Sequence, residues 1–263
     1  MKKYISLLFI VVFAGVFYIS CKKDTTHIQG VSPAGVAYLK VIHAAPGFAK
    51  VFNAPDNFNI IVGGINGQRI VAGLTYNSAF PVNTINTDTY AAVPAGGQDI
   101  RIVAKGVVNI DSITLATIPK SLVAGSYYTL VITDSISTTP DYSKIWTSDA
   151  LPPGGPVAGY ALRFIHAVMN DTAGKKIDVY SYRNAANIFS NVSPGDVTSF
   201  NALAYNTTPD TLIIRRAGTL NELARFNNFS PFDNKRIYTL MYRGDGTLTS
   251  GTRARGTYIY NNR

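Results

Sequence analysis

The sequence predicts an all-β protein arranged as two tandem antiparallel β-sandwich domains. Three observations predict it. Leu39-Lys40-Val41-Ile42-His43-Ala44 returns as Leu162-Arg163-Phe164-Ile165-His166-Ala167, each at the head of a long run of β-formers. Thr, Tyr, Ile and Val abound while strong helix formers are scarce, and Glu occurs once, at position 222. Short strand-like runs are separated by turn residues at the spacing a sandwich requires. The 263 residues, 46% hydrophobic and 15% charged, are enough for two packed cores and exclude a disordered chain.

Residues 1–20 read as an export signal. Lys2 and Lys3 precede an apolar run from Ile5 to Ile19, which is short for a membrane span of about 20 residues. Cys21, the single cysteine, excludes an internal disulfide. Ile19-Ser20-Cys21 resembles the lipobox of bacterial lipoproteins, which implies cleavage before Cys21 and its acylation. The resemblance makes the membrane a partner through an N-terminal lipid anchor. Cys21 and residues 22–36, aperiodic and polar, form the expected tether, and its charged start resembles the surface-export signal of Bacteroidetes lipoproteins.

The first domain is expected over residues 37–136. Period-two alternation in its opening strand sets Leu39, Val41 and His43 against Lys40, Ile42 and Ala44. Taking the cation as the mark of the wet face, His43 and His166 point inward. Strand-like runs follow near 58–62, 68–74, 90–93, 100–104, 112–118 and 127–133. A Pro/Gly-rich linker is expected over 137–159, with Trp146 packed into the seam between domains. The second domain, 160–263, repeats the plan. Asp99-Ile100-Arg101 matches Asp210-Thr211-Leu212, Leu115-Ala116 matches Leu223-Ala224, and Tyr128-Thr129-Leu130 matches Tyr238-Thr239-Leu240. A C-terminal strand, 256–260, reads as an addition peculiar to the second copy.

Ile42-His43-Ala44-Ala45-Pro46, Val71-Ala72-Gly73-Leu74-Thr75-Tyr76, Val93-Pro94-Ala95-Gly96 and Tyr128-Thr129-Leu130 together resemble domain-of-unknown-function family 4397. The resemblance covers residues 37–135 well, and the second copy in diverged form. It implies Ig-like sandwiches in an exported bacterial lipoprotein and supplies no catalytic residue.

Catalytic chemistry finds few residues to work with. One glutamate leaves any glycosidase carboxylate pair to aspartates. His27, His43 and His166 are the only histidines, and no Gly-x-Ser-x-Gly elbow, phosphate loop or His-x-x-x-His pair occurs. No enzyme, cofactor or metal is expected.

Charge is unevenly placed. Residues 37–150 hold seven Lys/Arg and seven Asp; residues from 157 onward hold thirteen Lys/Arg against seven Asp/Glu. Lys175-Lys176, Arg215-Arg216, Lys235-Arg236 and Arg253/Arg255 are candidate patches, and Arg215, Arg216, Lys235 and Arg236 are the candidate glycan-binding residues. An exported location disfavours nucleic acid. Five motifs of the form Asp-(Ser/Thr)-(small aliphatic or Thr) resemble the O-glycosylation acceptor of Bacteroidetes exported proteins and make Thr25, Ser112, Ser135, Thr172 and Thr211 candidate acceptors. The same motif also marks strand entry after a turn. The expectation is an outer-membrane lipoprotein, on the periplasmic or cell-surface face. It would act as a non-catalytic binding or adhesion module for anionic polysaccharide or envelope proteins. A structural envelope component is the alternative, and an exported hydrolase a distant one.

Overall fold

The computed structural model describes residues 35–52, 56–63, 67–82, 89–105, 113–133, 144–151, 155–156, 158–171, 175–231 and 235–263. Cys21, Thr25, Ser112, Ser135 and Thr172 lie outside them. β1 (Val36–His43) starts an inner sheet with β4 (Ala79–Phe80), β5 (Ala91–Pro94), β8 (Tyr127–Ile132) and β9 (Lys144–Ser148), ordered β4-β1-β8-β9 with β5 also on β1. An outer sheet runs β3 (Gln68–Thr75), β2 (Asn57–Val62), β6 (Gly96–Ala104), β7 (Thr114–Leu122). One turn of helix, α1 (Phe48–Phe52), links the two sheets.

Among the described residues the second half repeats this order with one strand fewer, an isolated bridge between Ile165 and Val197 standing where the first half has β4. Its inner sheet is β13 (Asn201–Leu203), β10 (Tyr160–His166), β16 (Ile237–Arg243), β17 (Gly256–Asn261). Its outer sheet is β12 (Ala186–Val192), β11 (Ile177–Ser181), β14 (Asp210–Arg216), β15 (Glu222–Phe229). Pairing is antiparallel except for one parallel ladder in each inner sheet, β1 with β8 and β10 with β16. A parallel neighbour needs a long crossover, and in both halves the chain supplies it by passing through the outer sheet.

Three cores hold the layers. Leu39, Val41, Phe58, Ile60, Ile102 and Leu130 fill the first sandwich, and Leu162, Phe164, Val179, Leu212, Ile214 and Leu240 the second. Ile42, Ala44, Val131 and Ile145 meet Ile165, Ala167, Met241 and Tyr260 in a third, where the two inner sheets pack on each other. The inner strands are therefore covered on both faces, and β10 and β16 are buried at every position. Outer strands such as β15 keep a solvent face.

This packing corrects several expectations. The cation of the opening strand does not mark a wet face: Lys40 and Arg163 are only 1% and 2% exposed, because that face abuts the other half. The histidines are nevertheless buried, on the sandwich-core side. The expected linker contains a strand, β9, paired with β8 from Tyr128↔Ser148 to Ile132↔Lys144. β17 pairs with β16 in the same way, so the C-terminal strand is no peculiarity of the second copy. Trp146, on β9, leaves the seam and stacks on Tyr128 at 5.2 Å against the first core. Alternation decides this, because Trp146 and Ile145 must point to opposite faces of one strand, and Ile145 takes the seam. Among the described residues no helix is long and apolar enough to cross a membrane.

Candidate functional site

Many of the second half's cations are engaged within the fold. Lys40 and Arg163 hold equivalent positions, opposite Thr129 and Thr239 in their parallel ladders. Asp149 and Asn262 are equivalent too: each follows the last inner strand, and each backbone N–H bonds to the start of the neighbouring strand, at Tyr127 O and Ile237 O. Arg163 forms an ion pair with Asp149 and donates from Nε to Thr239 Oγ1 (2.9 Å) and from Nη2 to Thr129 Oγ1 (3.1 Å). Thr129 Oγ1 donates a hydrogen bond to Asp149 Oδ2 (2.5 Å), and Thr239 Oγ1 to Asn262 Oδ1 (2.6 Å). The Tyr90 hydroxyl donates to Asp149 Oδ2 (2.6 Å) and accepts from Asn262 Nδ2 (2.6 Å). Lys40 Nζ donates to Thr89 Oγ1 and to the Asn261 carbonyl. Burial pushes its amine down to about 7, against the opposing pull of Asp149.

A second set of ties lies near the ends of β1 and β16. Arg253 donates to Pro46 O and to Asp56 Oδ2 (2.6 Å), and Arg243 to Asn77. The Tyr76 ring lies 5.5 Å from the Arg243 guanidinium and 5.6 Å from that of Arg253. Behind them His43 is walled by Phe48, Phe58 and Tyr76, accepts from Ala45 N through Nδ1 (3.3 Å), and holds Nε2 3.8 Å from Asp56. Burial, helped by Arg253, pushes its pKa down to about 3. His166 stacks on Tyr242 at 5.3 Å, and burial lowers its pKa to about 4. Of the two histidines only His43 has a ring nitrogen in a hydrogen bond of good geometry. The nearest backbone acceptors of His166, at Val192 and Ser193, lie outside good hydrogen-bond geometry.

Much of the positive excess is thus internal. Arg163, Arg243 and Arg253 join the halves. Arg216 and Arg255 share the buried Asp171 carboxylate at 3.0 and 3.7 Å, and Arg225 pairs with Glu222. Arg215 and Arg216 are neighbours on a strand, so they point to opposite faces; Arg215 lies 3.7 Å over the Tyr180 ring. Nor do they join Lys235 and Arg236. Arg216 is tied to Asp171, past the end of β10, whereas Lys235 N–H bonds Gly159 O, just before its start. The four candidate glycan-binding residues therefore lie at opposite ends of the sandwich.

At the Gly159 end several loops converge. Tyr182 and Arg183 top the β11–β12 turn, Tyr205 follows β13, and Lys235-Arg236 lead into β16. Arg183 Nη1 donates to Thr208 O (2.8 Å), its backbone N–H to Asp210 Oδ1 (2.8 Å), and its side chain reaches the Tyr160 phenol. Gly159, at φ +74°, lets the Tyr205 segment close over it; a Cβ there would lie 2.0 Å from Leu203 O. Tyr182 is 71% exposed and Tyr205 37%. Asp210 is consumed internally, accepting also from Ser181 (2.5 Å). The end therefore offers exposed tyrosine rings beside Arg183, Lys235 and Arg236. Sequence reading marked Lys235-Arg236 but missed Tyr182, Arg183 and Tyr205, since nothing linear unites three separate loops.

Of the Asp-(Ser/Thr) motifs, Asp210-Thr211 is described in full. Thr211 is half-buried within β14, and Asp210 pins the preceding turn, which fits the strand-entry reading of the motif. Among the described residues no cluster of His, Cys, Asp or Glu could hold a metal ion. No family model matches the chain, and a search of curated proteins returns no match.

Proposed function

We propose that this protein is an outer-envelope lipoprotein, anchored through Cys21 and exposed to the periplasm or the cell surface. In this reading it has no catalytic role, and its second half binds anionic glycan at the Gly159 end. The carrying observation is the convergence of Tyr182, Tyr205, Arg183 and Lys235 on one loop surface. Aromatic faces pack against sugar C–H groups, and fixed cations attract carboxylate or phosphate. Loops on a rigid scaffold are where binding surfaces form. Membership of family 4397, an Ig-like ancestry and a Bacteroidetes-type origin belong to the same proposal, resting on the motifs described above. O-glycosylation at Thr25, Ser112, Ser135 or Thr172 remains part of it, and Thr211 is the weakest acceptor because it is half-buried.

A structural envelope role is the second reading, and the cross-linked seam favours it, since it makes one stiff body of the two halves. The test is a glycan array probed with the soluble chain from Lys22 onward, at low and physiological salt. Binding to acidic glycans that fades with salt, as screening shortens to about 8 Å, supports the first reading. No acidic glycan bound at low salt leaves the structural role.

A further inference from the structure

The quasi-symmetry of the seam points to a site of its own. Registering β5 with β13 makes Tyr90 equivalent to Phe200 and Thr89 to Ser199. Registering β9 with β17 makes Ala150 equivalent to Arg263. Each seam cation rests on the matching ring, Lys40 at 4.9 Å from Tyr90 and Arg163 at 4.7 Å from Phe200.

The two sides are filled differently. Around Lys40, Thr89 and the Asn261 carbonyl press on the amine, Tyr90 sends its hydroxyl into the network, and Arg263 covers Tyr127. Around Arg163 the equivalent residues are smaller or lack the hydroxyl: Ser199, Phe200 and Ala150. There a cleft of about 350 Å³ opens between β9 and residues 197–200, with Arg163 as its floor.

We infer that this cleft is a binding site for one neutral hexopyranose residue. Its volume suits a single sugar ring within the usual range of ligand pockets. Ser148 and Ser199 bring hydroxyls to its walls, the Thr147 and Thr198 hydroxyls being used on Ser148 O, Ser199 O and Phe164 N, and Phe200 gives it an aromatic wall. Arg163 is nine-tenths buried and aligned by Asp149, Thr129 and Thr239, which account for one N–H on each of its three nitrogens. The remaining Nη hydrogens are donors for sugar oxygens. Asp149 neutralises the guanidinium, so the site selects hydroxyls rather than a second carboxylate. This site is separate from the Gly159 end and does not depend on the function proposed there.

The experiment is saturation-transfer NMR on the chain from Lys22 onward with methyl glucoside, methyl galactoside, methyl mannoside and glucuronic acid. Ser199→Trp, at the exposed rim, fills the cleft without touching the ionic network; Tyr182→Ala alters only the Gly159 end. The expected result is transfer to at least one neutral glycoside, weakened tenfold or more by Ser199→Trp at unchanged Tm and untouched by Tyr182→Ala. No transfer to any neutral glycoside overturns the inference. So does transfer that survives Ser199→Trp, or transfer to glucuronic acid alone. If Ser199→Trp lowers Tm, Ser148→Trp on the opposite wall takes its place under the same criteria.

Discussion

Arg163 and Lys40 occupy the same position in the two repeats, yet only Arg163 holds a carboxylate; Asn262 stands where the first repeat has Asp149. At this position the face-to-face packing of the inner sheets thus buries two cations with one anion. The expected behaviour of Asp149 and Lys40 variants follows from that imbalance.

Asp149→Asn leaves both cations buried without a counter-charge. Removing one partner of a buried pair costs about 3–5 kcal/mol. Urea unfolding at pH 7 should show a loss of that size, and a change below 1 kcal/mol would mean the seam is open to water.

Lys40→Met should leave stability at pH 7 unchanged or raise it, because an apolar side chain of similar volume replaces a poorly compensated cation. Folding lowers the pKa of Lys40 from 10.5 to about 7, so between these values the unfolded chain binds more protons. Wild-type stability should therefore rise from pH 7 towards 9, by up to about 1.4 kcal/mol per unit. The variant should lose that slope in unfolding titrations, and an unchanged slope would contradict the buried amine.

Acid acts through the histidines. Both pKa values are depressed by burial, to about 3 for His43 and about 4 for His166. Their contribution is present in full above the unfolded value of 6.5 and is lost as pH falls below it towards the folded values. Each contributes a slope of up to about 1.4 kcal/mol per unit. Unfolding midpoints at pH 7 and pH 5 should differ, and His43→Phe, which sits among Phe48, Phe58 and Tyr76, should remove about half the difference.

Trp146→Ala should destabilise the protein by about 2–3 kcal/mol, short of the roughly 3–5 of a fully buried large aromatic. A true linker residue would give almost nothing. Chemical denaturation separates the two outcomes.

Cys21→Ser should release the protein from the membrane fraction or leave it with its export signal uncleaved. Mature protein that still partitions wholly into detergent would remove the lipid anchor from the proposal.

The all-β class, the order of the repeats and the core face of each opening strand are legible along the chain. Those properties follow from local alternation, turn residues and internal similarity. The sequence also placed His43 and His166 inward, on the premise that the cation marks a wet face; the histidines are buried, but Lys40 and Arg163 are buried too. What covers the opposite face was decided only by tertiary structure. A cation on a strand means a solvent face when nothing packs there, and a buried network when a second sheet does; alternation is identical in both cases. For the same reason Trp146 could not be assigned to a core, nor β9 to a sheet, before β8 offered an edge. The candidate site was illegible as a unit because its rings and cations come from separate loops. Only the closure of the sandwich around Gly159 brings Tyr182, Arg183, Tyr205 and Lys235 to one end.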